Sequence, residues 1–165
     1  DWFSFVDEGV RPDVVTMAKA LGNGFPVGCC WASEEVAASF KPGDHGSTFG
    51  GQPLAMAAAK ATLSTLIEID APSAARSAGS QLAAGLSDLP GVVGVRGRGL
   101  LLGAELAGPT ARRVAAAALE QGLVVNAVRD DVIRLTPPIT VSPEEISEAL
   151  SRLGAALDSV DEEAS

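Results

Sequence analysis

Two short apolar runs separated by a glycine-rich turn constrain this chain more than any other feature. Val14-Val15-Thr16-Met17-Ala18 is the first and Val27-Gly28-Cys29-Cys30-Trp31-Ala32 the second, with Leu21-Gly22-Asn23-Gly24-Phe25-Pro26 between them. Runs of this length, bounded by glycine and proline, predict adjacent buried strands. Lys19 falls at the mouth between them. A lysine so placed is expected to be desolvated. Such an amine loses its charge readily and becomes a nucleophile that forms a Schiff base with an aldehyde.

Farther along, Gly46-Ser47-Thr48-Phe49-Gly50-Gly51-Gln52-Pro53 is a flexible, hydroxyl-bearing loop that opens a helix. Helix starts of this kind bind phosphate. A reactive lysine together with a phosphate site suggests pyridoxal phosphate, and either alone would be weak. Each residue also has a plainer reading. Lys19 suits a solvated strand end. Ser47 and Thr48 suit a cap for the helix beginning near Pro53, which is the stronger reading from sequence position alone. Arg134 stands between Ile133 and Leu135 in a strand, so it points opposite to both and fits an ordinary surface arginine.

The charge balance narrows the partners. Twelve Lys and Arg against 21 Asp and Glu give a net charge of −9, which argues against nucleic acid. Arg96-Gly97-Arg98-Gly99 has no aromatic or basic surround and reads as a hairpin turn. Cys29 and Cys30 are adjacent and apolar-flanked, so they read as core residues of a reducing, cytoplasmic compartment rather than a disulfide framework. One histidine offers no zinc constellation. The apolar fraction is 47%, yet no run approaches the roughly 18 residues of a membrane span. Asp1 to Pro12 has no initiator Met and no signal-like apolar region, and opens in Trp2-Phe3-Ser4-Phe5, which we expect of a chain cut from something longer. Those aromatics read as core or interface, and His45 as a loop residue.

Along the chain, the part up to Gly51 reads as strand and loop, followed by a helix from Pro53 to Ile69 with proline at its first position. Asp70-Ala71-Pro72-Ser73 ends that helix and marks a domain boundary, giving domains 1–70 and 71–165. Ser73 is expected to cap a helix with Ala75, Ala78, Leu82 and Leu86 on one face. A hairpin follows, Val92–Arg96 with Gly99–Leu106, then a helix over Thr110–Gln121 and strands at Leu123–Val128 and Val132–Thr136. Ser142-Pro143-Glu144-Glu145 is a capping box that starts a last helix with Ile146, Leu150, Leu153 and Leu157 inward. The acidic end, Asp158 to Ser165, is expected to fray. Residues 73–158 alone would also suit a non-enzymatic small α/β interaction domain.

The runs PDVVTMAKALGNGFPVG, HGSTFGGQPLA and LVVNAVRDDVIRLTPPITVSPEE resemble, in order and spacing, the class III pyridoxal-phosphate aminotransferases. Within the class they look most like members acting on acetylornithine. Ornithine, succinylornithine and 4-aminobutyrate are the alternative donors. The resemblance covers nearly the whole chain. It implies an α/β, fold-type I architecture: the end of a large domain with a mostly parallel seven-stranded sheet, then a small carboxy-terminal α+β domain. It implies transamination with 2-oxoglutarate in arginine biosynthesis by a cytoplasmic homodimer, with no nucleic-acid or membrane partner. By resemblance, Lys19 bonds the cofactor aldehyde and Thr48 holds the cofactor phosphate, in this family usually that of the neighbouring subunit. Ser47 would lie against acetylornithine, and Arg134 would pair with a substrate carboxylate. Gln52 stands where the family commonly has asparagine. The family's aspartate on the pyridine nitrogen, its ring-stacking aromatic and its glycine-containing phosphate loop precede the region that matches, and none can be assigned here.

Overall fold

The computed structural model describes residues 1–162, and the chain divides into two compact units, Asp1–Asp70 and Ala71 onward. In the first unit a short helix α1, Ser4–Asp7, precedes strand β1, Val14–Met17, and a 3-10 turn, Lys19–Gly22. Strand β2, Cys29–Ala32, pairs antiparallel with β1, Val14 opposite Ala32 and Met17 opposite Cys29. Helices α2, Glu34–Ala37, and α3, Pro53–Glu68, complete the unit. The two expected strands therefore exist and are neighbours, but they are not buried. Among the described residues no third strand flanks the pair, so its faces stay open. Cys29 and Cys30 are exposed rather than in a core, as are Trp2 and Phe3. Phe3 and Phe5 stack with ring centroids 5.0 Å apart. Neither α1 nor α2 was foreseen: each is a single turn, too short to show a helical period.

The second unit has a complete core. Helix α4, Ala71–Ser87, leads to β3, Val92–Arg98, and β4, Leu101–Leu106; helix α5, Ala111–Glu120, leads to β5, Asn126–Arg129, and β6, Val132–Leu135; helix α6, Pro143–Glu162, closes it. The four strands form one sheet in the order β3-β4-β6-β5 with every neighbouring pair antiparallel. The three helices pack on one face. Leu82 and Leu86 from α4, Val114 from α5, and Ile146, Leu153 and Leu157 from α6 meet Leu102, Ala104, Ile133 and Leu135 of the sheet. Alternation along β6 buries Ile133 and Leu135 and turns Arg134 outward.

Local chemistry explains most boundaries. The β3–β4 hairpin turns at Gly99-Leu100, with Gly97 at φ 128° and Gly99 at φ 54°, backbone that suits glycine. A Cβ on Gly97 would run into the Leu101 carbonyl oxygen. At the start of α6, the Ser142 amide donates to Glu145 Oε2 at 2.8 Å and the Glu145 amide donates to Ser142 Oγ at 3.2 Å, a reciprocal capping box. Glu144 beside it accepts from its own backbone amide and from Ser142, which holds its carboxyl below the usual range.

Several boundaries differ from expectation: β3 runs on to Arg98, β4 starts only at Leu101, β5 covers Asn126–Arg129 rather than Leu123–Val128, and α5 is one residue shorter at each end. Helix α4 begins at Ala71, not after a Ser73 cap. Asp70 takes φ 46° and makes the turn itself, and Pro72 is tolerated because a helix's first turn has no intrahelical use for its N–H. The acidic end does not fray through its first part: α6 runs to Glu162, held by Leu157 and Val160, both buried in the core. The rest of that stretch, 163–165, lies outside the described residues.

Candidate functional site

Lys19 opens the 3-10 turn directly after β1. Ala18 before it is extended, and Lys19 itself sits at φ 52°, one of three non-glycine residues with positive φ among the described residues. A residue with a Cβ is disfavoured there by about 1–2 kcal/mol. Asn23 closes the turn at φ 45°, and Gly22 is buried with its hydrogen facing Val27. The backbone from Ala18 to Phe25 is pinned by successive amide–carbonyl bonds, Leu21 N–H to Ala18 O, Asn23 N–H to Ala20 O and Phe25 N–H to Gly22 O. The lysine thus projects from a tight, strained turn. Its side chain is exposed, so the expected desolvation is not supplied by the described residues.

Ser47 and Thr48 occupy the loop before α3 and are also exposed. Neither caps that helix. Its N-cap is Gln52, which makes no side-chain capping bond, and Pro53 takes the first helical position. Neither hydroxyl has a hydrogen-bond partner among the described residues. Ser47 folds back over Gly50, its Oγ 3.1 Å from where a Cβ would stand, and Gly51 takes φ 70°. The loop is therefore shaped by its glycines and keeps two hydroxyl donors and an uncapped helix start uncommitted. Helix α3 then packs against the Lys19–Gly22 turn, with Ala55 of its first turn buried. Lysine turn and hydroxyl loop are tied to one helix. A primary amine is what an aldehyde needs, and two free hydroxyls with open helix amides suit a phosphate, so each part fits one end of an aldehyde bearing a phosphate.

Arg134 belongs to the second unit, on the sheet face the helices leave open. Its register partners are Gly103 on β4 and Asn126 on β5. Arg134 Nη2 donates to Asn126 Oδ1 at 3.3 Å. Asn126, missed by sequence reasoning, carries no motif; only the strand register, invisible in one sequence, reveals it. Beside this pair, Arg96 and Glu105 form an ion pair across β3 and β4. Arg129 instead pairs with Asp131 at 3.4 Å, so it is committed locally. No group of His, Cys, Asp and Glu that could hold a metal occurs among the described residues, and no helix among them is long and apolar enough to cross a membrane.

The sequence profile of the family described as Aminotransferase class-III matches residues 1–157. The acetylornithine aminotransferase of Corynebacterium efficiens is 48% identical over 157 residues, 95% of this chain and 39% of that protein. The acetylornithine aminotransferase of Bacillus subtilis is 44% identical over 159 residues, 94% of this chain and 41% of the relative. Among solved structures, the N-acetylornithine aminotransferase of Stenotrophomonas maltophilia superimposes with a TM-score of 0.84 at 34% identity, covering 96% of this chain and 43% of that one. The ornithine aminotransferase of Toxoplasma gondii superimposes with a TM-score of 0.86 at 30% identity, covering 96% and 40%. The chain spans about two fifths of the length of the curated relatives it matches.

Proposed function

The chain belongs to the class III aminotransferases, and from that membership we propose that it serves the transfer of an amino group from N2-acetyl-L-ornithine to 2-oxoglutarate. The similarity to acetylornithine aminotransferases over nearly all of this chain supports that donor. The cofactor is pyridoxal phosphate, whose ring, when bound, takes up the charge left on a substrate carbon that has lost its proton. We propose residues 1–70 as the carboxy-terminal part of the large cofactor-binding domain and residues 71–165 as the small domain. The working enzyme is a cytoplasmic homodimer of the arginine-biosynthetic route.

Each residue has a task that follows from its chemistry. Lys19 holds the cofactor aldehyde through its amine, with loss of water. Once freed by the substrate amine, it takes the proton from the carbon that bears the transferred amino group, which in N2-acetylornithine is the terminal one, and passes it on rather than back. The strained φ at Lys19 supports this role, since strain of that kind persists at sites where position matters more than stability. Thr48 donates its hydroxyl to the phosphate, backed by the open amides of α3, and the phosphate it serves is that of the neighbouring subunit. Ser47 lies against the acetylornithine. Arg134 offers a planar fork to a substrate carboxylate.

The single observation that carries the reading is the uncommitted amine that Lys19 presents from a strained turn pinned by backbone hydrogen bonds. Borohydride reduction of the active protein carrying this chain, then peptide mapping, tests it. The pyridoxyl group is expected on the peptide with Lys19. A label on Lys41 or Lys60 overturns the assignment. Steady-state kinetics with acetylornithine, ornithine and 4-aminobutyrate in parallel tests the donor, and a higher kcat/KM for either of the last two replaces it.

A further inference from the structure

Arg134 stands at the centre of the open sheet face with unequal flanks. On the β4 side its register partner is Gly103, which offers no side chain. A Cβ there would lie 3.3 Å from Val132 Cγ1 and 3.8 Å from Arg96 Cγ, so the gap is held open by the lack of one. On the β5 side its partner is Asn126, whose Oδ1 accepts from Arg134 Nη2 at 3.3 Å. Both residues border a cavity of about 250 Å³ that Leu135, Pro137 and Val141 also line. A free guanidinium on a four-bond stem samples many rotamers, and a fork binds a carboxylate well only when its plane is fixed.

We propose that Asn126 is a positioning residue that fixes the plane of the Arg134 guanidinium without neutralising it, so that its remaining N–H donors stay directed at a substrate carboxylate. This rests on the carboxylate role proposed for Arg134. A neutral acceptor is the group the task requires. A carboxylate at position 126 would hold the arginine as firmly but would pair with its charge and compete with the incoming acid. That competitor is placed elsewhere on the sheet: Glu105, which shares the face, is engaged by Arg96, and Asp131 by Arg129. The arrangement leaves Arg134 as an arginine with a neutral partner and its charge available.

The test uses the active protein carrying this chain and four variants: Asn126→Ala, Asn126→Asp, Arg134→Lys and the double variant Asn126→Ala with Arg134→Lys. Asn126→Ala should raise KM for the acceptor acid by about 3- to 10-fold, the share of a charge-assisted hydrogen bond spent on orientation, with kcat and Tm close to wild type. Asn126→Asp should raise KM further than Asn126→Ala, and its effect should ease as pH falls through the carboxylate range. In the Arg134→Lys background Asn126→Ala should add nothing, because it acts only through the guanidinium. Wild-type KM in Asn126→Ala alongside a raised KM in Arg134→Lys overturns the positioning role and leaves the carboxylate role standing. Wild-type KM in Arg134→Lys overturns both. Equal losses of kcat and Tm in the two Asn126 variants, or additive effects in the double variant, show a structural asparagine and overturn the proposal.

Discussion

At the scale of single residues, the candidate site is defined by what each side chain is not doing. Thr48 and Ser47 suit helix caps by position, yet the structure puts Gln52 at the cap and leaves both hydroxyls without partners. Thr48→Ala should therefore leave Tm almost unchanged, since no capping bond is lost. Cofactor affinity should fall, because a hydroxyl donor to a charged group contributes about 1.5–3 kcal/mol, or roughly 10- to 150-fold. Fluorescence titration of the apoenzyme with pyridoxal phosphate measures the second quantity and thermal denaturation the first. An unchanged dissociation constant removes Thr48 from the site, and a fall in Tm of several degrees restores the capping role. The contrast with Ser142 is instructive: there the sequence position and the observed bonds agree, with Glu145 completing the pair.

At the scale of elements, close approach between α4 and the β3–β4 turn makes a prediction whose sign opposes helix propensity. Gly79 is buried inside α4, and a Cβ there would run into the backbone carbonyl of Gly99. Alanine ordinarily improves a helix interior by about 0.8–1 kcal/mol over glycine, but Gly79→Ala should destabilise by about 1–3 kcal/mol, the usual range for overpacking a well-filled site. In α6, a Cβ on Gly154 would meet Leu89 Cδ2 at 3.4 Å, an ordinary contact. Gly154→Ala should therefore stabilise by up to about 1 kcal/mol. Urea denaturation of both variants reads the opposite signs, and equal signs would refute the packing account. These elements were also the most legible in the sequence. The inward stripe of α4, the hairpin glycines and the capping box all act between residues close in the chain, so one sequence displays them. The exposure of β1 and β2 was not legible, because an apolar run declares only that it suits burial and says nothing of what covers it. Asn126 was silent for a related reason: its partner lies across a ladder whose register no local pattern fixes.

At the scale of the whole molecule, the two units differ in how completely each satisfies itself. The second encloses a core from three helices and four strands. The first leaves Trp31, Phe49, Leu54 and Ile67 exposed, Phe49 at 76%, and has a two-stranded ladder whose edges no other strand among the described residues pairs. Residues 71–162 expressed alone should therefore unfold cooperatively, with a urea midpoint close to that of the second unit in the full chain. The 165-residue chain alone should show no turnover of acetylornithine with 2-oxoglutarate, and it should associate through its first unit at concentrations where residues 71–162 stay monomeric. Light scattering and a coupled glutamate assay check these outcomes; turnover by the chain alone would mean that the site is complete within it. The place of α6 in the chain order carries a further consequence, one of timing. Every other element of the second unit precedes it, yet Ile146, Leu153, Leu157 and Val160 come from it. Its 20 residues take about 1–4 s to synthesise at roughly 5–20 residues per second. During that interval both hairpins are already made and only α4 and α5 are there to cover them, so the nascent core waits on the ribosome without its last helix.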